Sequence, residues 1–309
     1  MIRRALLKLL PAASAVPAHY SKGEPVILPT LTEAGFSIAV QCWSLKEFTL
    51  FEAIEMAAAT GAGGVELYKG QKLGGGHGDL VFSEDLSDAK LQAVIDHLEK
   101  NHIAALNFGV VDFPEDETQA RKLFELAKKL SLYGVTTESI DAIDTLEKLS
   151  QEYDIKVCFH NHPKPTALWH PDTVWKLLDG RHENLGFCAD TGHWAASGMN
   201  PLEVVKKIAP RIRSFHLKDR ASITEWTHDQ PFGTGIIDLP GILDEARNHG
   251  FAGNVSIEYE HNWRTNLSEI AQCVGYLRAY SKITAVKNCP AHEVASLSSN
   301  HAASTSWMV

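Results

Sequence analysis

The sequence predicts a single (β/α)₈ barrel, a TIM barrel of the α/β class, and three observations lead to this fold. From residue 35 to residue 282, short β-branched runs alternate with stretches whose apolar residues recur at helical spacing. No Gly-, Pro- or Ser-rich linker divides the eight strand–helix pairs, as is typical of one closed parallel barrel. Residues 42–45, after the first strand, lack the Gly-rich turn of a doubly wound sheet, the alternative fold.

Each element is placed by its own local pattern. Strands are predicted at residues 36–41, 64–68, 102–111, 135–138, 156–160, 185–189, 212–217 and 255–258. Helices are predicted at residues 50–60, 86–101, 115–132, 143–153, 171–178, 201–208, 239–248 and 267–280. In the second helix, for example, Leu91, Val94 and Leu98 form one apolar face. The seventh helix begins after Asp238, a residue type that caps helix N-termini, and stops at Gly250.

The composition is that of a globular enzyme. The chain has 309 residues, of which 44% are hydrophobic and 22% charged, and a chain of this length buries well over half of its unfolded surface. The 29 Lys and Arg residues against 38 Asp and Glu give a net charge of −9. This balance argues against nucleic-acid binding, because phosphates are neutralised by clustered basic residues. The five cysteines are dispersed, so no disulfide framework is predicted.

The two ends of the chain differ from the predicted barrel. Residues 1–18 combine Arg3 and Arg4 with a short apolar stretch and small residues, the layout of a twin-arginine-like export signal. We therefore expect a periplasmic or secreted protein, the alternative being a cytoplasmic one with a frayed amphipathic N-terminus. No segment has the roughly 20 apolar residues of a membrane span. Residues 286–309, rich in Ser, Ala, Asn and His, are predicted to form a disordered tail.

Ionisable side chains cluster where the predicted strands end, which is where a barrel of this kind builds its active site. The candidates there are Glu66, Glu138, His160, His162, Asp190, His216, Lys218, Glu258 and Glu260. Residues two apart on a strand share a face, so His160 points the same way as His162, and His216 the same way as Lys218. Asn161 lies on the other face and is expected to support the barrel.

Two imidazoles and two carboxylates from four adjacent strands are predicted to meet on one divalent cation. The predicted ligands are His160, Asp190, His216 and Glu258. Mixed nitrogen and oxygen ligands favour a transition metal over Ca²⁺. We expect Mn²⁺, with Co²⁺, Zn²⁺, Fe²⁺ or Mg²⁺ as alternatives. Any one of these residues alone would be an ordinary rim residue, but four at consecutive strand ends predict a metal site.

The other candidates are expected to move protons or to contact the substrate. The catalytic candidates are Glu258, His160, His162 and Lys218, and the substrate-binding candidates are Glu66, Glu260, His193, Trp43 and Tyr68. His193 would bind the substrate or orient a metal ligand. Lys218 would face a developing negative charge or, alternatively, pair with Asp219. The aromatic residues, with Trp194 and Trp263, would form walls for sugar rings or else pack in the core.

Seven motifs cover most of residues 35–282. They are FTLFEAI from residue 48, VELYKGQ from 65, HNHP from 160, CADTGHW from 188, SFHLKD from 214, FGTG from 232 and SIEYE from 256. Together they resemble the xylose-isomerase-like barrel superfamily, specifically its sugar phosphate isomerase/epimerase family. The resemblance implies a divalent metal on the strand-5 to strand-8 residues named above. The epimerases of this superfamily exchange protons through two glutamates, one on strand 5 and one on strand 8. In this sequence His160 stands where the strand-5 glutamate is expected. Strand 4 is short, so no role is assigned to Glu138.

The predicted function is a divalent-metal-dependent sugar isomerase or epimerase. Glu258 or a strand-5 histidine would remove the proton next to a carbonyl, and the metal would stabilise the enediolate. Because His160 replaces the glutamate, a 3-keto-glycoside lyase or hydratase using the same site is the alternative. Two further alternatives are an endonuclease-IV-like phosphodiesterase, which would need a basic face, and a non-catalytic sugar-binding barrel. The partner is a small sugar, and the resemblance implies a homo-oligomer.

Overall fold

A closed barrel of eight parallel strands forms the centre of the protein. The computed structural model of the chain describes residues 31–287. The barrel strands are β1 (Ser37–Gln41), β2 (Gly64–Leu67), β3 (Ala104–Phe108), β4 (Gly134–Thr137), β5 (Lys156–His160), β6 (Leu185–Asp190), β7 (Ile212–Leu217) and β8 (Asn254–Ile257). Consecutive strands are neighbours, and β1 pairs in parallel with both β2 and β8, which closes the barrel. The predicted fold class is therefore confirmed.

Helices follow the strands in chain order. Within the described range they are α1 (Leu50–Ala59), α2 (Asp88–Lys100), α3 (Glu117–Lys129), α4 (Ile143–Tyr153), α5 (Pro171–Leu177), α6 (Thr191–Ala196), α7 (Pro201–Ile208), α8 (Leu239–Asn248) and α9 (Leu267–Lys287). All sixteen predicted elements are present. Two further elements are not predicted from the sequence: α6 and the short antiparallel pair of Asp219–Arg220 with Asp229–Gln230. Helix α9 also continues beyond its predicted end at residue 280.

Helix starts follow their sequence cues. Thr49 and Glu52 form a capping box at α1, in which each side chain accepts a hydrogen bond from the other residue's backbone N–H. Asp238 caps α8 as predicted, because its carboxylate accepts the N–H of Gly241 at 3.0 Å. Helices α5, α7 and α8 each carry proline in the first turn, where its missing N–H costs no hydrogen bond.

The interior of the barrel contains a polar layer below the carboxyl ends of the strands. Glu66 on β2 accepts hydrogen bonds from Thr136 of β4 at 2.7 Å and from Ser256 of β8 at 2.5 Å. These strands lie on different sides of the barrel, so the three side chains meet inside it. His216 of β7 joins them, with Nε2 3.0 Å from Glu66 Oε1. All four residues are fully buried, so this layer supports whatever lies above it.

Some predictions concern the chain ends and the cysteines. The export signal predicted at 1–18 and the part of the predicted tail at 288–309 lie outside the described residues. None of the helices described, α9 included, is both long and apolar enough to cross a lipid bilayer. Within residues 31–287, Cys42, Cys158, Cys188 and Cys273 are buried free thiols, which agrees with the absence of a predicted disulfide framework.

Candidate active site

A cavity of about 310 Å³ opens at the carboxyl ends of the strands. Its lining consists of Gln41, Trp43, Tyr68, Lys69, Gly109, Val110, His160, His162, His193, Glu258 and Glu260. Seven of the residues singled out in the sequence are therefore brought together here. The buried side chains of Asp190, His216 and Lys218 lie behind this lining. The volume is at the lower end of the range of pockets for small molecules, about 300–1,000 Å³.

Glu138, at the end of β4, holds both imidazoles of the β5 end. Its Oε1 lies 2.8 Å from Nδ1 of His160 and also accepts a hydrogen bond from Nδ1 of His162. A carboxylate at Nδ1 fixes that nitrogen as the donor, so that Nε2 carries the lone pair when the ring is neutral. His160 is buried, whereas the side chain of His162 is 46% exposed. Glu138, a strand-end residue with no role predicted from the sequence, is thus placed to orient both imidazoles.

Asp190 and helix α6 together bring a second group of side chains into contact. Asp190 ends β6 and caps α6, since its Oδ1 accepts the backbone N–H of His193 at 2.7 Å. Its other oxygen, Oδ2, lies 3.5 Å from Nε2 of His160 and 3.5 Å from Nε2 of His193. One ligand atom each from His160, Asp190, His193 and Glu258 lie within 4.8 Å of one another. These four buried residues form what we call the inner cluster.

His216 lies directly beneath the inner cluster. Its Nδ1 is 3.2 Å from Oε2 of Glu258, and its Nε2 is 3.0 Å from Oε1 of Glu66. The predicted ligand set is therefore contiguous, although the group of ligand atoms within 4.8 Å of one another contains His193 and not His216. Glu66, expected to contact the substrate, does not line the cavity: it is fully buried in the polar layer, behind His216. Its position is that of a residue that orients His216.

Lys218 is fully buried among three carboxylates. Its Nζ lies 3.0 Å from Asp190 Oδ2, 2.9 Å from Glu258 Oε2 and 2.5 Å from Glu260 Oε2. The alternative pair with Asp219 does not form, because the Asp219 carboxylate instead accepts four backbone N–H groups, those of Arg220, Gly233, Gly235 and Ile237. Three carboxylates face this one ammonium, so the rest of their negative charge is left to the neighbouring imidazoles or to a bound divalent cation.

The ionisation of this group of residues follows from these contacts. Burial opposes the charge on Lys218, but the carboxylates, Asp190 first, hold its pKa well above its usual value. Burial likewise raises the pKa of Asp190 and of Glu258, but the neighbouring cations outweigh it and hold both pKa values well below their usual range. Asp190 and Glu258 are thus permanent carboxylates, which suits metal ligands better than proton-accepting bases.

The imidazoles of the inner cluster differ from each other. Burial lowers the pKa of His160, but its contacts with the carboxylates of Asp190 and Glu138 outweigh burial and raise the pKa to about 9. For His193 burial dominates, and its pKa lies well below the usual value. His193 is therefore a neutral imidazole at the wall of the cavity, able to accept or donate one hydrogen bond without adding charge.

Several buried polar atoms at this place lack a hydrogen bond of good geometry with any described residue. They are His160 Nε2, Asp190 Oδ2, His193 Nδ1 and both ring nitrogens of His216. Buried polar atoms are almost always satisfied, so unsatisfied ones grouped together indicate a missing partner such as an ion. The imidazole nitrogens and carboxylate oxygens are ligands that Zn²⁺ and similar cations prefer. The residues present therefore fit a divalent metal.

The remaining predicted residues have clear positions. Asn161 supports the site as expected, because its side chain donates to the backbone carbonyl of Asp190 and accepts its N–H, at 3.1 and 3.0 Å. Trp43 and Tyr68 form part of the cavity wall. Trp194 is fully buried, so it packs in the core and is not a wall of the cavity.

Known proteins share the fold and part of the sequence. The model of the family described as xylose isomerase-like TIM barrel matches residues 54–280. An inosose dehydratase of Bacillus thuringiensis (strain Al Hakam) is 38% identical over 138 residues, in a match that covers 40% of this chain and 46% of that protein. The match thus spans about half the length of this curated relative.

Two solved structures extend the comparison. A protein of Parabacteroides distasonis ATCC 8503 is 30% identical, with a TM-score of 0.65, over 79% of this chain and 99% of that one. A structure described as IOLI protein with a binding zinc atom is 18% identical, with a TM-score of 0.58, over 83% of this chain and 100% of that one. At the lower identity the likeness concerns the fold alone.

Proposed function

This chain belongs to the xylose isomerase-like TIM barrel family, and we propose that it is a metal-dependent lyase that eliminates a β-substituent from a keto sugar. The isomerase or epimerase reaction becomes the alternative. One observation carries the proposal: among the described residues, His162 is the imidazole of the cavity wall that lies outside the inner cluster. An elimination that returns the abstracted proton to the leaving oxygen needs one acid–base side chain. Epimerisation by the two-glutamate route of the epimerases needs two. The inosose dehydratase relative supports elimination as well.

We propose Zn²⁺, in place of the expected Mn²⁺, held by His160, Asp190, His216 and Glu258. Two imidazoles and two carboxylates suit zinc better than Mg²⁺, which prefers oxygen ligands. The zinc in a structural neighbour supports this choice. When bound, the cation supplies a Lewis acid for the carbonyl of the substrate. His193, which lines the cavity while His216 does not, is left to contact the substrate.

His162 is the proposed general base. Its Nδ1 is held by Glu138, so the lone pair of Nε2 is free, which is the arrangement of a carboxylate–imidazole dyad. Glu258 is a poorer candidate because its Oε2 is already in contact with Lys218 at 2.9 Å and with His216 at 3.2 Å. Glu260 is likewise in contact with Lys218. Among the candidate bases expected from the sequence, we therefore propose His162, with Glu138 as the residue that positions it.

The elimination balances with this one group. His162 Nε2 takes the proton from the carbon next to the carbonyl, and the electron pair of that C–H bond becomes the new C=C bond. The C–O bond to the β-substituent breaks, and the imidazolium returns its proton to the leaving oxygen. The net change is loss of an alcohol or of water. Lys218, with its positive charge beneath the cavity, stabilises the negative charge that develops on the substrate.

The reaction type is tested by proton NMR in D₂O with the zinc-loaded protein and methyl 3-keto-glucoside. We expect methanol and an unsaturated keto sugar, because the glycosidic oxygen is β to the ketone. His162→Ala should give neither product while retaining its zinc. Deuterium next to the carbonyl of an intact, rearranged sugar would instead establish the isomerase or epimerase reaction.

The role of Glu66 gives a prediction about metal affinity. Glu66 faces Nε2 of His216 and so leaves Nδ1 directed toward Glu258. We expect Glu66→Gln to weaken zinc binding by about 10- to 100-fold, as loss of a partner behind a ligand usually does. Glu99→Gln, at an exposed position of α2, is the matched control and should bind zinc like the wild type. Competition with a zinc chelator measures both variants, and equal affinities would refute the orienting role.

A further inference from the structure

Three aromatic side chains form a continuous wall from the cavity to the outer surface. Trp43 lies after β1, Tyr68 after β2 and Trp263 after β8. The centroid of the Trp43 ring is 5.2 Å from that of the Tyr68 ring and 6.4 Å from that of the Trp263 ring, and both pairs pack edge to face. Trp43 and Tyr68 line the cavity, whereas Trp263 lines an outer depression of about 350 Å³. The cavity and the depression are therefore connected by three aromatic rings in contact with one another.

The wall is held in place before any ligand binds. The Nζ of Lys46 lies 4.4 Å from the centre of the Trp43 ring and 3.5 Å from that of Trp263, so one ammonium joins the two indoles by cation–π contacts. Buried Ser44 ties the loops together: its hydroxyl accepts the N–H of Tyr259, and its carbonyl accepts from Asn266, each at 2.8 Å. A preformed surface of this kind loses little conformational entropy when a ligand binds.

The exposure of the wall argues for binding over packing. Trp43 is 38% exposed in spite of its contacts, whereas Trp194, which packs in the core, is fully buried. An indole ring that remains exposed beside a cavity, as that of Trp43 does, offers an apolar face to a ligand ring. The rim of the outer depression adds polar groups from Glu47, Asn262 and Arg264, which suit the hydroxyls of a sugar.

We propose that the outer depression binds a second ring of the substrate, so that the substrate is a glycoside and not a free monosaccharide. The inference rests on the proposed function in one respect, that the reacting sugar ring occupies the cavity. At about 310 Å³ the cavity lies at the lower limit for a ligand site, and the aromatic wall continues beyond it. The second ring, either a sugar or an aromatic aglycone, stacks on Trp263.

Binding of unreactive glucosides tests this inference separately from catalysis. The probes are methyl β-glucoside, phenyl β-glucoside and cellobiose, titrated into the zinc-loaded protein by NMR. We expect at least one two-ring probe to bind about three- to tenfold more tightly than methyl β-glucoside, the gain typical of one aromatic contact. Preference for phenyl β-glucoside would indicate an aromatic aglycone, and preference for cellobiose a second sugar.

Variants assign the preference to Trp263. Trp263→Ala should lose the two-ring preference and keep its affinity for methyl β-glucoside, while Trp263→Phe should keep most of it. Trp175→Ala, which removes an exposed tryptophan on α5, is the control and should match the wild type. The inference is overturned if Trp263→Ala keeps the preference, or if the wild type shows none or binds no probe. Because this experiment measures binding and not turnover, its result can be interpreted even if the protein fails the lyase assay.

Discussion

Asp190→Asn is expected to lose zinc binding and nearly all turnover while the fold remains intact. Asparagine keeps the side-chain oxygen that caps α6 by accepting the N–H of His193, so the helix start is preserved. What is lost is the negative charge of Oδ2, the atom that faces His160, His193 and Lys218. We expect zinc affinity to fall by more than about 100-fold, and turnover by about 1,000-fold, equivalent to several kcal/mol of lost Lewis-acid stabilisation.

Asp238→Asn is the matched control for this variant. Asp238 also caps a helix, α8, through a backbone N–H at 3.0 Å, but it does not belong to the inner cluster. Zinc titration by calorimetry and the NMR assay should show wild-type behaviour for Asp238→Asn. If Asp190→Asn binds zinc as tightly as the wild type, Asp190 is not a ligand and the proposed metal centre is wrong.

Lys218→Met is expected to destabilise the metal-free protein strongly. The substitution keeps much of the side-chain volume but leaves Asp190, Glu258 and Glu260 without the ammonium that contacts all three. Removing one partner from a buried ionic group typically costs about 3–5 kcal/mol, which for a domain of this size lowers Tm on the order of 10 °C. Saturating zinc should restore part of the loss, because its two positive charges act on the same carboxylates.

The control for this prediction is an ion pair at the surface. Lys206 pairs with Glu203 at 2.7 Å, with both side chains about half exposed. Because exposed pairs contribute little, Lys206→Met should change Tm only slightly. Thermal unfolding with and without zinc measures both variants. An unchanged Tm for metal-free Lys218→Met would mean that the carboxylates do not depend on the ammonium.

The elements of the fold were predictable because their patterns are local. Strand and helix periods differ, and caps such as Asp238 mark helix starts in the sequence itself. Helix α6 was missed because six residues are too short to show a period. This omission affects the site, since α6 is what brings His193 beside Asp190.

The contacts within the site were less predictable because they depend on strand register. Glu66 was expected at the rim, but the pairing of β2 with β3 shifts between Val65 and Glu66, and the side chain lies in the polar layer below. The three partners of Lys218 come from the ends of two other strands, β6 and β8, and no local pattern favours them over its neighbour Asp219. The residue types of the site were thus readable from the sequence, but not which atoms meet.

The central claim is that His160, Asp190, His216 and Glu258 hold one zinc ion at the carboxyl ends of the strands. Anomalous diffraction at the zinc edge, from crystals of the zinc-loaded protein, tests it most directly. We predict one peak per chain, about 2.0–2.2 Å from His160 Nε2, Asp190 Oδ2, His216 Nδ1 and a Glu258 oxygen. An anomalous peak between Glu138 and His162 instead, or no peak among the four proposed ligands, would contradict the account.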